Sequence, residues 1–488
     1  MHDPHPPSTK VAYLSAKEIL RRFEIGDLRS IDVIDLLLSR VAAIDAKDSD
    51  VAINSLAALS DDARHVAKER DDERARGVVR GDLHGVPVLI KDNIEAHGLP
   101  GIAGSTALIG RPTREAVLVT RLRDAGAIVF GSTNLSEWAN IRSPRSTSGY
   151  SASAGLVANP WSLDRSAGGS SSGSGAALAA GLAPLAVGTE TDGSIVCPSS
   201  LNGVVGLKPT VGNVPATYVI PISKSQDSPG PMGRSVDDVA LLYGVLSDSA
   251  PPASMPTPTF AVATTWRTGH PQTDQLFDDV VASLREGGLA IVDREAALPG
   301  EGEGNDEAAV LFAELYDDLS EYLADRPGDG VHSLADVVAY EDEHRDREEI
   351  YFGHENFLTS IMSGGRAGGL YAEARRRNLE WAIETCLTPA LADVDLLLAP
   401  AYGPSWKSDL IVGGHPGPAS PASTAPAIAG WPILCLPMGL IGGLPVGLAV
   451  VGRAHSEWTI LEGARRIEHL VRQRGALPQP AWLPASRG

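Results

Sequence analysis

The sequence predicts an α/β fold built on a largely parallel or mixed sheet. Three observations carry that expectation. Short apolar runs of strand length alternate with amphipathic runs of helix length. The alternation occurs twice, around residues 86–130 and again around residues 260–292. Between the two stretches lie two loops made almost wholly of small residues, 168–175 and 188–194.

The elements follow in chain order. Ser15 and Glu18 form an S-x-x-E capping box ahead of Ile19, Leu20 and Phe23, and Gly26 supplies a stop. A second helix starts near Ser30 with Val33, Ile34, Leu37, Val41 and Ile44 on one face, and a charged helical stretch covers Asp61 to Arg76. Val86 to Ile90 reads as a short buried strand that ends at Lys91-Asp92-Asn93. Val117 to Asp124 reads as a helix stopped by Gly126, and Ala127 to Phe130 as a strand. The all-Gly/Ser run 168–175 reads as a loop, followed by an Ala-rich helix from Ala176 to Ala180 closed by Gly181. Apolar Leu185-Ala186-Val187 precedes the second small-residue loop, Gly188 to Ser194. Ser235 caps a helix to Leu246, and Ser247 to Pro258 reads as a linker. Beyond it come a strand at Phe260–Ala263, a helix to Glu286 and a strand at Leu289–Val292, then a mostly helical, acidic region from about 306 to 390. Strands are expected at Leu396–Leu398, Ile433–Leu436 and Val446–Val451, with a helix from Thr459 to Val471. The organisation so read is an N-terminal helical segment (1–75), a core segment (76–250) and a C-terminal part (259–488) that completes the α/β core.

A chain of 488 residues exceeds what one hydrophobic core usually serves, so two lobes or one large intertwined core would fit. A net charge of −20 repels phosphate backbones and argues against a nucleic-acid partner. Arg375-Arg376-Arg377, flanked by Glu373 and Glu380, reads as a solvated helix face. Three widely spaced cysteines, Cys197, Cys386 and Cys435, suit a reducing compartment, and the cytoplasm is expected. Met1 to Lys10 lacks the apolar core of a signal peptide, and no run of about 18 apolar residues predicts a membrane span. A monomer or homodimer is expected, with no cofactor and no metal.

A serine hydroxyl becomes a nucleophile only with a base in hydrogen-bond reach and donors aimed at the oxyanion. Gly188-Thr-Glu-Thr-Asp-Gly-Ser194 suits the second need, because small residues let backbone N–H groups converge. The run Ser166 to Gly175 can bring another hydroxyl close without bulk. Lys91, at the end of a buried strand, is a candidate base, since burial penalises the charged ammonium. Spacing alone does not bring the three together.

The strings Ala167-Gly-Gly-Ser-Ser-Ser-Gly-Ser-Gly-Ala-Ala177, Gly188-Thr-Glu-Thr-Asp-Gly-Ser-Ile195 and His84-Gly-Val-Pro-Val-Leu-Ile-Lys-Asp-Asn93 resemble the signature of the amidase signature family. Asn134-Leu-Ser-Glu-Trp138, Gly203 to Thr210, Gln226 to Met232 and Gly443 to Leu448 match as well, so the resemblance spans roughly residues 14 to 470. The runs around Ser194 and Gln226 look most like the branch of bacterial peptide amidases and acyl-amide hydrolases. The resemblance implies a large mixed, mostly parallel twisted sheet covered by helices on both sides. It also implies an amide hydrolase acting through a seryl acyl-enzyme on a small-molecule or peptide amide. Ser194 would be the nucleophile, Ser170 the proton relay behind a cis Gly169–Ser170 bond, and Lys91 the base. Backbone N–H groups of Thr191, Asp192, Gly193 and Ser194 would hold the oxyanion, and Ser171 would hydrogen-bond Lys91. The region 306–390 would help wall the substrate pocket. Ser172, Ser132 and His354 depart from residues common in the family.

Other readings are weaker. Cys197, three residues past Ser194, reads as a small core thiol, and Asp192 as a residue fixing its loop. Gly169 to Gly173 matches a nucleophile elbow but lacks the preceding hydrophobic strand. No Gly-Lys-Ser/Thr follows a Gly-rich loop, and His344 and His354 lack zinc spacing and read as a solvated helix face. The rival functions are a carbamate or ester hydrolase with the same triad, and the glutamine-amidase component of a tRNA-dependent amidotransferase. The second typically carries an arginine two residues after the nucleophile, where this chain has Val196.

Overall fold

The structure, a computed structural model, describes residues 9–49, 51–110, 113–414, 417–475 and 477–480. Most of the polar stretch Met1 to Lys10 lies outside the described residues. The strands of the main sheet are β1 (Leu56–Leu59), β2 (Pro87–Lys91), β3 (Ile128–Thr133), β4 (Leu185–Glu190), β5 (Val205–Lys208) and β6 (Ser228–Gly233) in the first half. The second half adds β7 (Phe260–Ala263), β8 (Ile291–Arg294), β9 (Leu396–Pro400), β10 (Ile433–Ile441) and β11 (Leu444–Gly452). They form one 11-stranded sheet in the order β1-β3-β2-β4-β6-β5-β10-β11-β9-β7-β8.

The sheet is mixed, as expected, with a smaller parallel share than expected. β3, β2 and β4 run parallel near one edge, and β9, β7 and β8 at the other. The strands between them pair antiparallel, and so does edge strand β1 with β3. The reason is local. Gly442 and Gly443, both at positive φ, turn β10 directly into β11, which spares the long crossover that a parallel pair needs. β1 belongs to the segment expected to be purely helical, and its four residues are too brief a run to stand out as a strand.

Alternation along the strands explains why both faces are covered. Leu396 and Leu398 of β9, and Val446, Leu448 and Val450 of β11, enter one core. Leu397, Ala399, Ala449 and Val451 enter the other. The first core receives α1 (Ala16–Glu24), α2 (Ser30–Ile44), α3 (Ala63–Ala75) and α4 (Val117–Asp124), and from later in the chain α7 (Val236–Ser247) and α8 (Pro271–Glu286). Half of the expected capping box forms, since Ser15 accepts from the Glu18 amide while the Glu18 carboxylate turns to Arg21 and Arg22, and all five apolar residues expected on one face of α2 are buried. A third cluster, with Leu315, Leu319, Leu323, Val337 and Phe357 around Trp138, packs the helical region against the segments that carry Ile102, Leu108 and Ile220.

Two segments depart from expectation because glycine serves packing. The Gly/Ser run is half helix: α5 spans Ser172–Ala179 and is wholly buried. A Cβ on Gly173 would stand 2.2 Å from the Ser55 carbonyl oxygen, so the helix is admitted only by small residues. Ser228-Pro-Gly-Pro-Met-Gly233 has the composition of a loop, yet it is β6 in mid-sheet. β5 pairs only with Met232 and Gly233, so Ser228 to Pro231 carries a ladder on one side alone, which accommodates two residues without N–H groups.

Candidate active site

β2 and β4 are parallel neighbours, so Lys91 and Glu190 end side by side at the carboxyl edge of the sheet. That is where open α/β sheets hold ligands. The chain leaves β4, passes Thr191 to Ser194 and enters the short helix α6 (Val196–Asn202). The amide of Ser171, at the start of α5, donates to the Ser194 carbonyl at 3.1 Å, which joins the two small-residue loops. The Gly169–Ser170 peptide is cis, and the Ser170 carbonyl accepts from the Ser136 amide at 3.1 Å.

Lys91 Nζ lies 2.7 Å from Ser170 Oγ, 2.9 Å from Thr189 Oγ1 and 3.2 Å from the Thr189 carbonyl oxygen. No carboxylate touches it among the described residues. Burial draws its pKa down to about 7, against a weaker upward pull from Asp227 and Glu190. Near neutral pH the amine therefore loses its proton readily, and the Ser170 hydroxyl then donates to Nζ. Ser171 Oγ meets Thr189 instead of Lys91: it donates to the Thr189 carbonyl and accepts from the Thr189 amide. The expected Ser171–Lys91 bond is thus replaced by a shared acceptor, because Ser171 faces the β4 backbone. Thr189, which also accepts from Asn93 Nδ2 at 3.0 Å, is one of the site residues that the sequence did not single out.

The loop between Thr191 and Ser194 is held from outside. Glu190 Oε2 accepts from the Ile195 and Val196 amides at 2.6 and 2.9 Å. Thr191 Oγ1 donates to Asp227 at 2.6 Å, and the Cys197 amide donates to the Gly193 carbonyl at 2.7 Å. Among the described residues the amides of Thr191, Asp192, Gly193 and Ser194 donate to no protein acceptor, so all four are available to an oxyanion. Ser194 itself keeps 8% exposure. Glu190 and Asp227 act by position, a role that can be read only after folding. Cys197 is a buried thiol pushed up to about 12 by burial, in keeping with a core role. Ser132 donates to Asp92 behind β2 and lines no part of the serine site.

A cavity of about 710 Å³ adjoins the site through Asn93, Thr189 and Thr191, and reaches Tyr218, Asp227 and Tyr322. Glu307 of the long helix α9 (Glu301–Asp325) approaches the Thr191–Ser194 loop through Gln226, whose Nε2 donates to it at 3.0 Å.

Elsewhere, three buried carboxylates, Glu137, Glu341 and Glu348, converge, and the Arg142 guanidinium stands among them where a metal ion would otherwise sit. His354 is buried and its Nδ1 lies 3.0 Å from both Glu341 and Glu349, so it does not lie on a solvated face. The Glu341 hydrogen bond holds its pKa above the ordinary value. His344 stacks on Tyr340. Of the three arginines read as solvated, Arg376 and Arg377 pair with surface acids, while Arg375 donates to the Ile428 carbonyl. No helix among the described residues is long and apolar enough to cross a membrane.

A family model described as Amidase matches residues 32–461. The native peptide amidase from Stenotrophomonas maltophilia superposes with a TM-score of 0.89 at 37% identity, covering 98% of this chain and 99% of that one. An amidase family protein from Bacillus anthracis superposes with a TM-score of 0.83 at 25% identity over 97% of this chain and 93% of that one. A glutamyl-tRNA(Gln) amidotransferase component from Symbiobacterium thermophilum is 31% identical over 95% of this chain and 98% of its own length.

Proposed function

Starting from the fact that the chain belongs to the amidase family, hydrolases of carbon–nitrogen bonds in amides, we propose that Ser194 is its nucleophile, Ser170 its proton relay and Lys91 its base. Neutral Lys91 takes the Ser170 proton as Ser170 takes that of Ser194. Ser194 Oγ attacks the amide carbonyl, and the amides of Thr191 to Ser194 hold the oxyanion. The proton returns through Ser170 to the departing amine, and water then hydrolyses the acyl-enzyme by the same relay. The single observation that carries this reading is the 2.7 Å contact of a buried, carboxylate-free lysine with Ser170.

The substrates proposed are C-terminal peptide amides and aryl or acyl amides, the first in keeping with the peptide amidase neighbour. Carbamates and esters call on the same acyl-enzyme chemistry. Free glutamine, suggested by the amidotransferase relative, is disfavoured because Val196 is apolar and buried where a carboxylate clamp would stand. Three buried free cysteines support a reducing, cytoplasmic setting. The test is a hydrolysis screen of wild type and Ser194→Ala against an anilide, a C-terminally amidated peptide, a carbamate, an ester and free glutamine. Ser194-dependent cleavage of the anilide or peptide amide is expected. Turnover of glutamine alone would overturn the substrate reading, and undiminished activity in Ser194→Ala would overturn the nucleophile.

A further inference from the structure

We propose that Asp192, Gln226 and Glu307 form a recognition subsite beside Ser194 for a cationic, N–H-rich substrate group, guanidinium above all. This rests on the amide-hydrolase reading and adds a substrate class to it. The placement is geometric. Thr191 is fixed by Asp227, the neighbour of Gln226, and Gln226 reaches Glu307 at 3.0 Å, so α9 is tied to the loop that carries Asp192 two residues before Ser194.

The lining wants donors. Gln226 is fully buried, with its Nε2 spent on Glu307 and its Oε1 left without a partner. Asp192 Oδ1 is likewise buried and unpartnered. Buried acceptors left open cost free energy that a donor-bearing ligand recovers. Asp192 and Glu307 as residues keep partial exposure. The charged neighbour from the next helix is Arg375, which donates to the Ile428 carbonyl and also faces Glu314. Lys208 and the Ser423 hydroxyl also act on Asp192, but Lys208 is shared with Glu190 and Glu457. Both cations are divided among other acids, and burial holds the Asp192 carboxyl above its ordinary value. Burial and the Asp192 charge push Glu307 up to about 8, against pulls from Gln226 and Arg375. A guanidinium favours the ionised carboxylate, so the preference for it grows as pH rises through that value.

The experiment separates binding from turnover. Calorimetry on Ser194→Ala measures N-acetyl-arginine amide, N-acetyl-citrulline amide and N-acetyl-norleucine amide, each also with Glu307→Gln or Glu307→Ala added. Thermal melting checks that each variant is folded. The arginine amide should bind about tenfold tighter than the norleucine amide, with citrulline between, and either Glu307 change should erase the difference. Equal binding of the three, or a preference that survives both Glu307 variants, overturns the subsite. Hydrolysis of the same amides by the Ser194 enzyme tests the amidase reading separately, since binding to Ser194→Ala does not depend on it.

Discussion

Two buried cations show how surroundings assign a role. Lys91 and Arg142 are both fully buried. Lys91 meets two hydroxyls and a carbonyl, so nothing compensates its charge at contact distance and its pKa falls to about 7. Arg142 meets Glu137, Glu341 and Glu348, and its pKa is raised by those charges in spite of burial. Burial raises the Glu137 pKa well above its ordinary value, with Arg142 pulling it down and the charges of Glu348 and Glu341 adding to the rise. One burial yields an amine that is readily neutral, as the proposed base must be, and the other makes a clamp between the core and the helical region.

The comparison can be broken at four points, the largest effect first. Lys91→Arg keeps the charge and removes the ability to become neutral, so kcat/KM should fall about 10²–10⁴-fold, as deeply as in Lys91→Ala. Steady-state kinetics with circular dichroism as the fold check would decide it, and an active arginine variant would refute the base. Arg142→Ala leaves three carboxylates without their cation and should cost about 3–5 kcal/mol in denaturant unfolding. If its midpoint stays put, the clamp is not structural. The pH profile comes third. The active form of Lys91 is the neutral one, so kcat/KM should rise about tenfold per unit below pH 7 and level off above it, which a stopped-flow or plate assay from about pH 5 to 9 reads directly. Glu348→Gln should leave that midpoint in place if the two regions are independent. Smallest is Thr189→Val, which removes the hydroxyl shared by Lys91 and Asn93 and should cost roughly tenfold in rate with a shifted midpoint.

Much of this is legible in the chain itself, for reasons that the failures expose. Periodicity marks α2 because its apolar residues share one face toward a single core, and the strands β9 to β11 because theirs face two cores in alternation. It misses β6 because two prolines suppress strand propensity, and only the one-sided pairing of that segment makes them tolerable. It misses the helical half of the Gly/Ser run because glycine there answers to Ser55 and Asn134, residues far away in sequence. The serines and the lysine are proposed from their strings. Thr189, Glu190, Gln226 and Glu307 receive no role from sequence, since each acts through a partner 5 or more positions away: Thr189 on Lys91, Glu190 on Ile195, Gln226 on Glu307. His354 is misjudged because acidic neighbours in sequence suggest water, whereas Glu341 and Glu349 follow it indoors.

The loop after β4 closes on itself, with Glu190 holding the amides of Ile195 and Val196 like the knot of a lasso. Most hydrogen bonds that secure the noose and its flank come from Ser171, Glu190 and Asp227, within one stretch of the first half of the chain, with Ser423 of the second half adding one to Asp192. The long helix α9 of the second half reaches it at the rim, through Gln226. Such a division lets the rim be rewritten by mutation while the noose stays tied, so a lineage built on this scaffold can change diet without relearning its chemistry.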